Sequence, residues 1–139
     1  MTREIITATD EEALLITNRI VAFNNSNVPF TQESEPIIQN YVIKDGNKII
    51  AGINAFVYHW GILYVDMLFV NEEYRGQDLG IELLNKVESE AKAIGATLVH
   101  LDTFDFQAKD FYLKAGYEVF GVLEDCPKGH KRYYLSKKL

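Results

Sequence analysis

Apolar and polar positions change period several times along this chain, and each change marks an element. Residues 3–7, Arg-Glu-Ile-Ile-Thr, predict a short strand. Thr9 or Asp10 can cap a helix beginning near Glu11. Its apolar positions Leu14, Leu15, Ile20, Val21 and Phe23 are only loosely helical in spacing, and the asparagines at 24–27 end it. Residues 28–36 read as irregular, or as a short second helix. Residues 40–44 and 48–58 are apolar, β-branched runs either side of Asp45-Gly46-Asn47, which predicts a hairpin. Residues 62–70 are apolar at nearly every position, as in a strand covered on both faces at the centre of a sheet.

A helix is expected from the turn at 75–80 to about Ile94. Leu79, Leu83, Leu84, Val87, Ala91 and Ile94 share one face at helical spacing. Glu82 with Lys86 and Glu88 with Lys92 form i,i+4 pairs on the other face. Gly95 is a natural stop. Residues 97–103 predict a strand, 108–114 a short helix ended by Gly116, and 117–123 and 131–136 two final strands joined by a polar loop at 124–129. The order is strand, helix, three strands, helix, strand, helix, two strands. That is an α+β chain built around one mixed sheet.

With 139 residues the expectation is one domain, 1–139, and 47% hydrophobic residues are enough for a core without disulfides or metals. Cys126 is the single cysteine, so no intramolecular disulfide can form, and a reduced thiol is the plain reading. The first residues carry no basic, apolar leader, and no apolar run approaches the ~20 residues that span a bilayer. The expected setting is the cytoplasm, with no membrane partner. A net charge of −6 argues against nucleic acid as a partner. All of that net charge falls in residues 1–73, since 74–139 balance. Either acidic residues simply solvate the first half, or an acidic cleft attracts a cationic acceptor.

The sharpest segment for chemistry is 70–80. A buried strand ends at Val70, Arg75 and Gly76 follow, Gly80 comes five residues after Arg75, and a strong helix begins. The start of a helix leaves backbone N–H groups unpartnered and carries partial positive charge. Glycines let the backbone turn sharply and approach a ligand closely. Together these features suit a pyrophosphate. A turn shaped by glycines for structural reasons alone fits the same string. The chain has neither GxxxxGK[ST] nor GxGxxG, so a P-loop and a dinucleotide fold are unsupported. Asp66 is the one charge inside the strand 62–70, and a carboxylate there needs a partner or a role. His59, His100 and His130 are far apart in sequence and show no metal-ligand spacing, so no metal is expected.

Two strings carry a family resemblance. Val70-Asn71-Glu72-Glu73-Tyr74-Arg75-Gly76-Gln77-Asp78-Leu79-Gly80 follows V-x-x-x-Y/F and then Q/R-x-x-G-x-G/A. Ala108-Lys109-Asp110-Phe111-Tyr112-Leu113-Lys114-Ala115-Gly116-Tyr117 follows A-x-x-F/L-Y-x-x-x-G-F/Y. Both resemble the GNAT superfamily of N-acetyltransferases, over residues 40–139 and by element order before that. The resemblance implies a mixed, mostly antiparallel central sheet flanked by helices, with acetyl-CoA as co-substrate. It implies cofactor contacts at Leu68, Phe69, Val70, Arg75, Gly76, Gln77, Asp78, Leu79, Gly80 and Tyr112. Tyr112 would be the general acid for the departing thiolate, and Asp66 the candidate base for the amine. Backbone N–H groups of 68–70 would hold the oxyanion. Two positions depart from the family: Asp78 replaces its middle glycine, and Asp105 stands where many members carry Asn. The acceptor is expected to be a small-molecule or peptide amine, with a homodimer among the permitted assemblies. The competing reading is a catalytically silent acyl-CoA-binding sensor.

Overall fold

A computed structural model describes residues 2–33 and 35–139, in two compact units that divide after Thr31. In the first unit, residues 2–9 form no regular structure, so the strand expected at 3–7 is absent. A strand exists only through a ladder with a neighbour, and these residues have none. The helix α1, Asp10–Asn27, begins as expected. Thr9 Oγ1 accepts from the Glu12 N–H at 3.1 Å and the Glu12 carboxylate accepts from the Thr9 N–H at 3.1 Å, a reciprocal capping box. Residues 28–33 are irregular.

The second unit is a seven-stranded sheet carrying two helices. Its strands are β1 (Ile37–Ile38), β2 (Tyr41–Asp45), β3 (Lys48–Tyr58), β4 (Ile62–Val70), β5 (Leu98–Phe104), β6 (Glu118–Glu124) and β7 (Lys131–Lys138). Helix α2 is Leu79–Ala93 and α3 is Lys109–Lys114. The order is β1-β3-β4-β5-β7-β6, with β2 also on β3. Every pairing is antiparallel except β4 with β5. β1 escaped the sequence reading because two residues cannot show a period. The expected hairpin closes with Asp45 opposite Lys48 and Gly46 at φ +61°.

One face of the sheet holds the core. Ile53, Val57, Leu63, Val99, Leu101 and Leu135 pack there under Leu83, Leu84, Val87 and Ala91 of α2. α2 ends in a Schellman motif: Ala96 N–H donates to Ala91 and Gly95 N–H to Lys92, with Gly95 at φ +97°. Ile94, expected on the inner face, lies at this end and is exposed.

The polar face of α2 differs from the expected pairing. Lys86 pairs with Glu90 at 2.6 Å rather than with Glu82, and Glu90 also accepts from the Tyr41 hydroxyl. Glu88 points inward and is buried, bonded to Lys137 and Tyr117 instead of Lys92. Its position one residue from Val87 puts it at the rim of the apolar stripe, where partners from β7 and the start of β6 can reach it. No helix among the described residues is long and apolar enough to cross a membrane.

Candidate active site

β4 and β5 pair over only three positions, Ile62 to Leu98, Leu63 to Val99 and Tyr64 to His100. Beyond these the strands part, and a cavity of about 830 Å³ opens between them. The parting coincides with a bulge. Ala55 faces Val65 and Asn54 faces Met67, so Asp66 is an extra residue with no partner on β3. A bulge bends and twists its strand. It also preserves sidedness: Leu63, Val65, Leu68 and Val70 stay on the helix face opposite core residues of β3, while Tyr64, Met67 and Phe69 take the other face.

The widened gap leaves part of β4 unpaired. Asn71 N–H donates to Ile50 on β3, so by alternation the N–H groups of Leu68 and Val70 point away from β3, into the gap. Phe69 contributes its side chain, 61% exposed, instead of its amide. The expectation that this strand is covered throughout therefore holds only for its first half.

At the far end of β4 the chain turns through a 3₁₀ segment, Glu72–Tyr74, into α2. Gly76 has φ +78° and Asp78 has φ +63°. The backbone N–H groups from Gly76 to Ile81 have no acceptor among the described residues. They form a run of donors at a helix N-terminus, which is the chemistry a diphosphate requires. The Arg75 side chain folds back, donating from Nε to the Val70 carbonyl at 3.0 Å, with its guanidinium 5.8 Å from the Phe69 ring centre. Gly80 has a packing reason as well: a Cβ there would lie 3.3 Å from the Phe111 ring.

Tyr112 enters the cleft from α3. It is 6% exposed, with its ring edge-on to Phe111 and Tyr117. Its hydroxyl has no hydrogen-bond partner among the described residues. Burial, and then the nearby Asp102 carboxylate, push its pKa up to about 12. Asp66 is exposed in the cleft, and its carboxylate makes no ion pair among the described residues. Of the residues singled out from sequence, Asp66, Leu68, Phe69, Val70, Arg75, Gly76, Asp78, Leu79, Gly80 and Tyr112 line this one cavity, and Gln77 does not. His59 lies outside it in the β3–β4 turn, where the Glu35 carboxylate accepts from its backbone N–H at 2.6 Å.

A second group lines the cleft that sequence reasoning missed. On the face away from the helices, Tyr64 donates to Asp102 Oδ2 at 3.0 Å, across the gap between β4 and β5. Arg132 of β7 donates to Asp102 Oδ1 from Nε at 2.9 Å and from Nη2 at 2.6 Å. Its guanidinium lies over the Phe104 and Tyr134 rings. Burial, then Asp102, push the Tyr64 pKa up to about 12. The signal available in sequence was alternation alone: Asp102 is a charge inside the apolar run of β5. Asp105, which stands where many family members carry Asn, accepts from the Lys131 backbone N–H at 2.9 Å, and its other oxygen is 2.8 Å from His130 Nδ1. It ties the β6–β7 loop to the end of β5.

A mixed sheet parted between its two parallel strands, with a glycine turn and helix at the mouth of the gap, defines the GNAT acetyltransferase fold. The profile of the Acetyltransferase (GNAT) family matches residues 6–117, and the chain belongs to that family. A blasticidin-S acetyltransferase from Streptomyces morookaense is 31% identical over 104 residues, covering 74% of this chain and 76% of that protein. A crystal structure of an acetyltransferase from Bacillus cereus superposes with a TM-score of 0.91 at 35% identity, covering 99% of this chain and 98% of that one. An aminoglycoside 6′-N-acetyltransferase solved with coenzyme A shares the fold, with a TM-score of 0.64 at 17% identity over 97% of both chains.

Proposed function

We propose that the protein is an acetyl-CoA-dependent N-acetyltransferase that moves the acetyl group directly to a primary amine on a cationic small molecule. The observation that carries this reading is the parted β4–β5 gap, which has N–H donors at its mouth and a phenol and a carboxylate along it that find no partner among the described residues. The family match crosses the division between the two compact units, which supports treating 1–139 as one domain. We place the reaction in the cytoplasm, with Cys126 reduced.

In this reading acetyl-CoA supplies the activated acyl group as a thioester. The N–H groups of Gly76, Gln77, Asp78, Leu79 and Gly80 hold its pyrophosphate. Val70 and Leu68 N–H groups stabilise the carbonyl oxygen as it gains negative charge. An alkyl ammonium with a pKa near ~10.4 must lose a proton before it attacks. Asp66 attracts the cation and takes that proton, directly or through water. The amine nitrogen bonds to the acyl carbon, gives up its second proton to water, and the carbon–sulfur bond breaks. The electron pair leaves on sulfur, and the Tyr112 hydroxyl donates a proton to it. With a pKa near about 12, Tyr112 holds that proton at every ordinary assay pH.

The Asp66 carboxylate lines the cavity together with the exposed Met67 and Phe69, which gives an acceptor both charge attraction and apolar contact. Blasticidin-S and aminoglycosides, named for two similar proteins, are amine-bearing acceptors with which to begin. The test is free-thiol release from acetyl-CoA with a panel of cationic small amines, neutral amines and peptides. Release with cationic amines is expected. Acetyl-CoA binding without thiol release from any amine would remove the enzymatic reading.

A further inference from the structure

Beneath Tyr112 lies a partly buried charged network for which the proposed chemistry has no direct use. Glu88 of α2 is 8% exposed. Its Oε2 accepts from the Tyr117 hydroxyl at 2.7 Å, and its Oε1 lies 2.6 Å from Lys137 Nζ. Lys137 also donates to the Ala115 carbonyl at 2.9 Å and sits 5.2 Å from the Tyr117 ring centre. The backbone closes the loop: Tyr117 N–H donates to the Tyr112 carbonyl at 3.0 Å, and the two tyrosine rings meet edge-on at 5.6 Å. Gly116, at φ +95°, makes room, since a Cβ there would lie 3.3 Å from Lys137 Cδ.

Each bond constrains the end of α3. Where this six-residue helix stops, the Tyr112 carbonyl accepts from Tyr117 N–H as well as from Ala115 N–H, and the Ala115 carbonyl is taken by Lys137. Both of those residues are held by the same Glu88. Glu88 belongs to the helix whose N-terminus forms the phosphate turn. An apolar trio of similar volume would fill this space at no desolvation cost, whereas a charged one imposes direction.

We propose that Glu88, Tyr117 and Lys137 are positioning residues that fix Tyr112 relative to the phosphate turn, so that its hydroxyl meets the departing sulfur. This inference rests on the reading of Tyr112 as proton donor. None of the three lines the cavity. The network acts through the path from α2 to α3, so its loss misplaces the phenol while leaving the cofactor turn intact.

The test is a double-mutant cycle on the full chain with Tyr117→Phe and Tyr112→Phe, measuring kcat, KM for acetyl-CoA and Tm. Tyr117→Phe keeps the ring and removes the bond to Glu88. Its kcat is expected to fall about 5- to 20-fold with KM for acetyl-CoA changed less than about twofold. In the Tyr112→Phe background the same change should cost less than about twofold in kcat, because a misplaced donor matters only while it can donate. Effects that simply multiply, or a Tyr117→Phe enzyme with full kcat, would overturn the inference while leaving Tyr112 its role. A Tyr112→Phe enzyme with full kcat would remove that role and the inference with it. If Tyr117→Phe does not fold, Glu88→Gln, which breaks the ion pair that holds Lys137 on the Ala115 carbonyl while leaving an acceptor for the Tyr117 hydroxyl, takes its place in the same cycle with the same outcomes.

Discussion

Asp78 occupies a left-handed backbone conformation, φ +63° and ψ 17°, at the position where the family motif carries glycine. For an L-residue that region costs roughly 1–2 kcal/mol, less for Asp, while glycine gains back chain entropy when unfolded. Asp78→Gly should therefore raise stability by at most about 1 kcal/mol, whereas Asp78→Ala should lower it by a similar amount. Urea midpoints of the two variants would check the sign. If the aspartate contributes to cofactor binding through its backbone, Asp78→Gly should also change acetyl-CoA affinity by less than about tenfold, or ~1.4 kcal/mol. For Tyr112→Phe, kcat should fall by up to about 10²-fold with acetyl-CoA binding nearly unchanged. A normal phenol would ionise near ~10 and give the wild type an alkaline limb there. The protonated form is the active one and the pKa is raised to about 12, so the wild-type rate should stay free of a phenolic limb through pH 10. A rate profile to pH 10.5 decides it. Tyr112 and Asp78 could be found in the sequence because both sit in spaced strings. Glu88 and Arg132 could not, because their roles come from partners about 30 or more residues away in the chain, and Asp102 offered only its charge in an apolar strand.

The bulge in β4 is the element that makes the cleft, and Asp66 is its extra residue. Deleting Asp66 would place Met67 directly after Val65, opposite Asn54, in an uninterrupted ladder with β3. The expected product is a folded protein with a Tm within a few degrees of the parent, whose straightened β4 no longer leaves β5. Its thermal shift with acetyl-CoA should be lost. A large shift in that deletion variant would mean that the bulge does not hold the gap open. Gly80 joins α2 to α3 instead of simply clearing a path for a ligand. Gly80→Val would drive a side chain into the Phe111 ring and Val70, displacing the turn and the helix that carries Tyr112. Both Tm and the acetyl-CoA shift should fall, as differential scanning fluorimetry would show. β2 to β7 and all three helices could be read in the sequence from period and turn residues. The bulge left one mark in the sequence, Asp66 itself, the lone charge in an apolar strand.

Across the whole molecule, a ligand that binds only the folded state stabilises it by mass action, about 2.7 kcal/mol at a hundred times Kd. A rise in Tm that grows with acetyl-CoA concentration is therefore the first check of the proposed activity. Stability should also depend on pH through His100, whose pKa is lowered by burial, with Asp102 opposing. Below about 6.5 the unfolded chain takes up a proton that the folded imidazole refuses. Its contribution is complete above that pH and declines as the pH falls toward the lowered value. Urea midpoints of wild type and His100→Gln at pH 7.5 and 5.5 should show a smaller acid loss in the variant. The mixed sheet was legible because strands alternate with two amphipathic patterns. Its order was less so, because strand neighbours are set by packing across the chain. That order has a mechanical result. Within the second unit, β1 to β4 meet β5 to β7 along only three residue pairs, reinforced by the Tyr64–Asp102 bond and by the reach of Glu88 to Tyr117 and Lys137. So short a seam is where sub-global opening should begin, with the two flanks behaving as separate foldons. Amides of Leu98 and His100, which by alternation face β4, should exchange with solvent ahead of those at 50–57. A molecule lying across the seam would clamp both flanks at once and slow exchange far from any atom it touches.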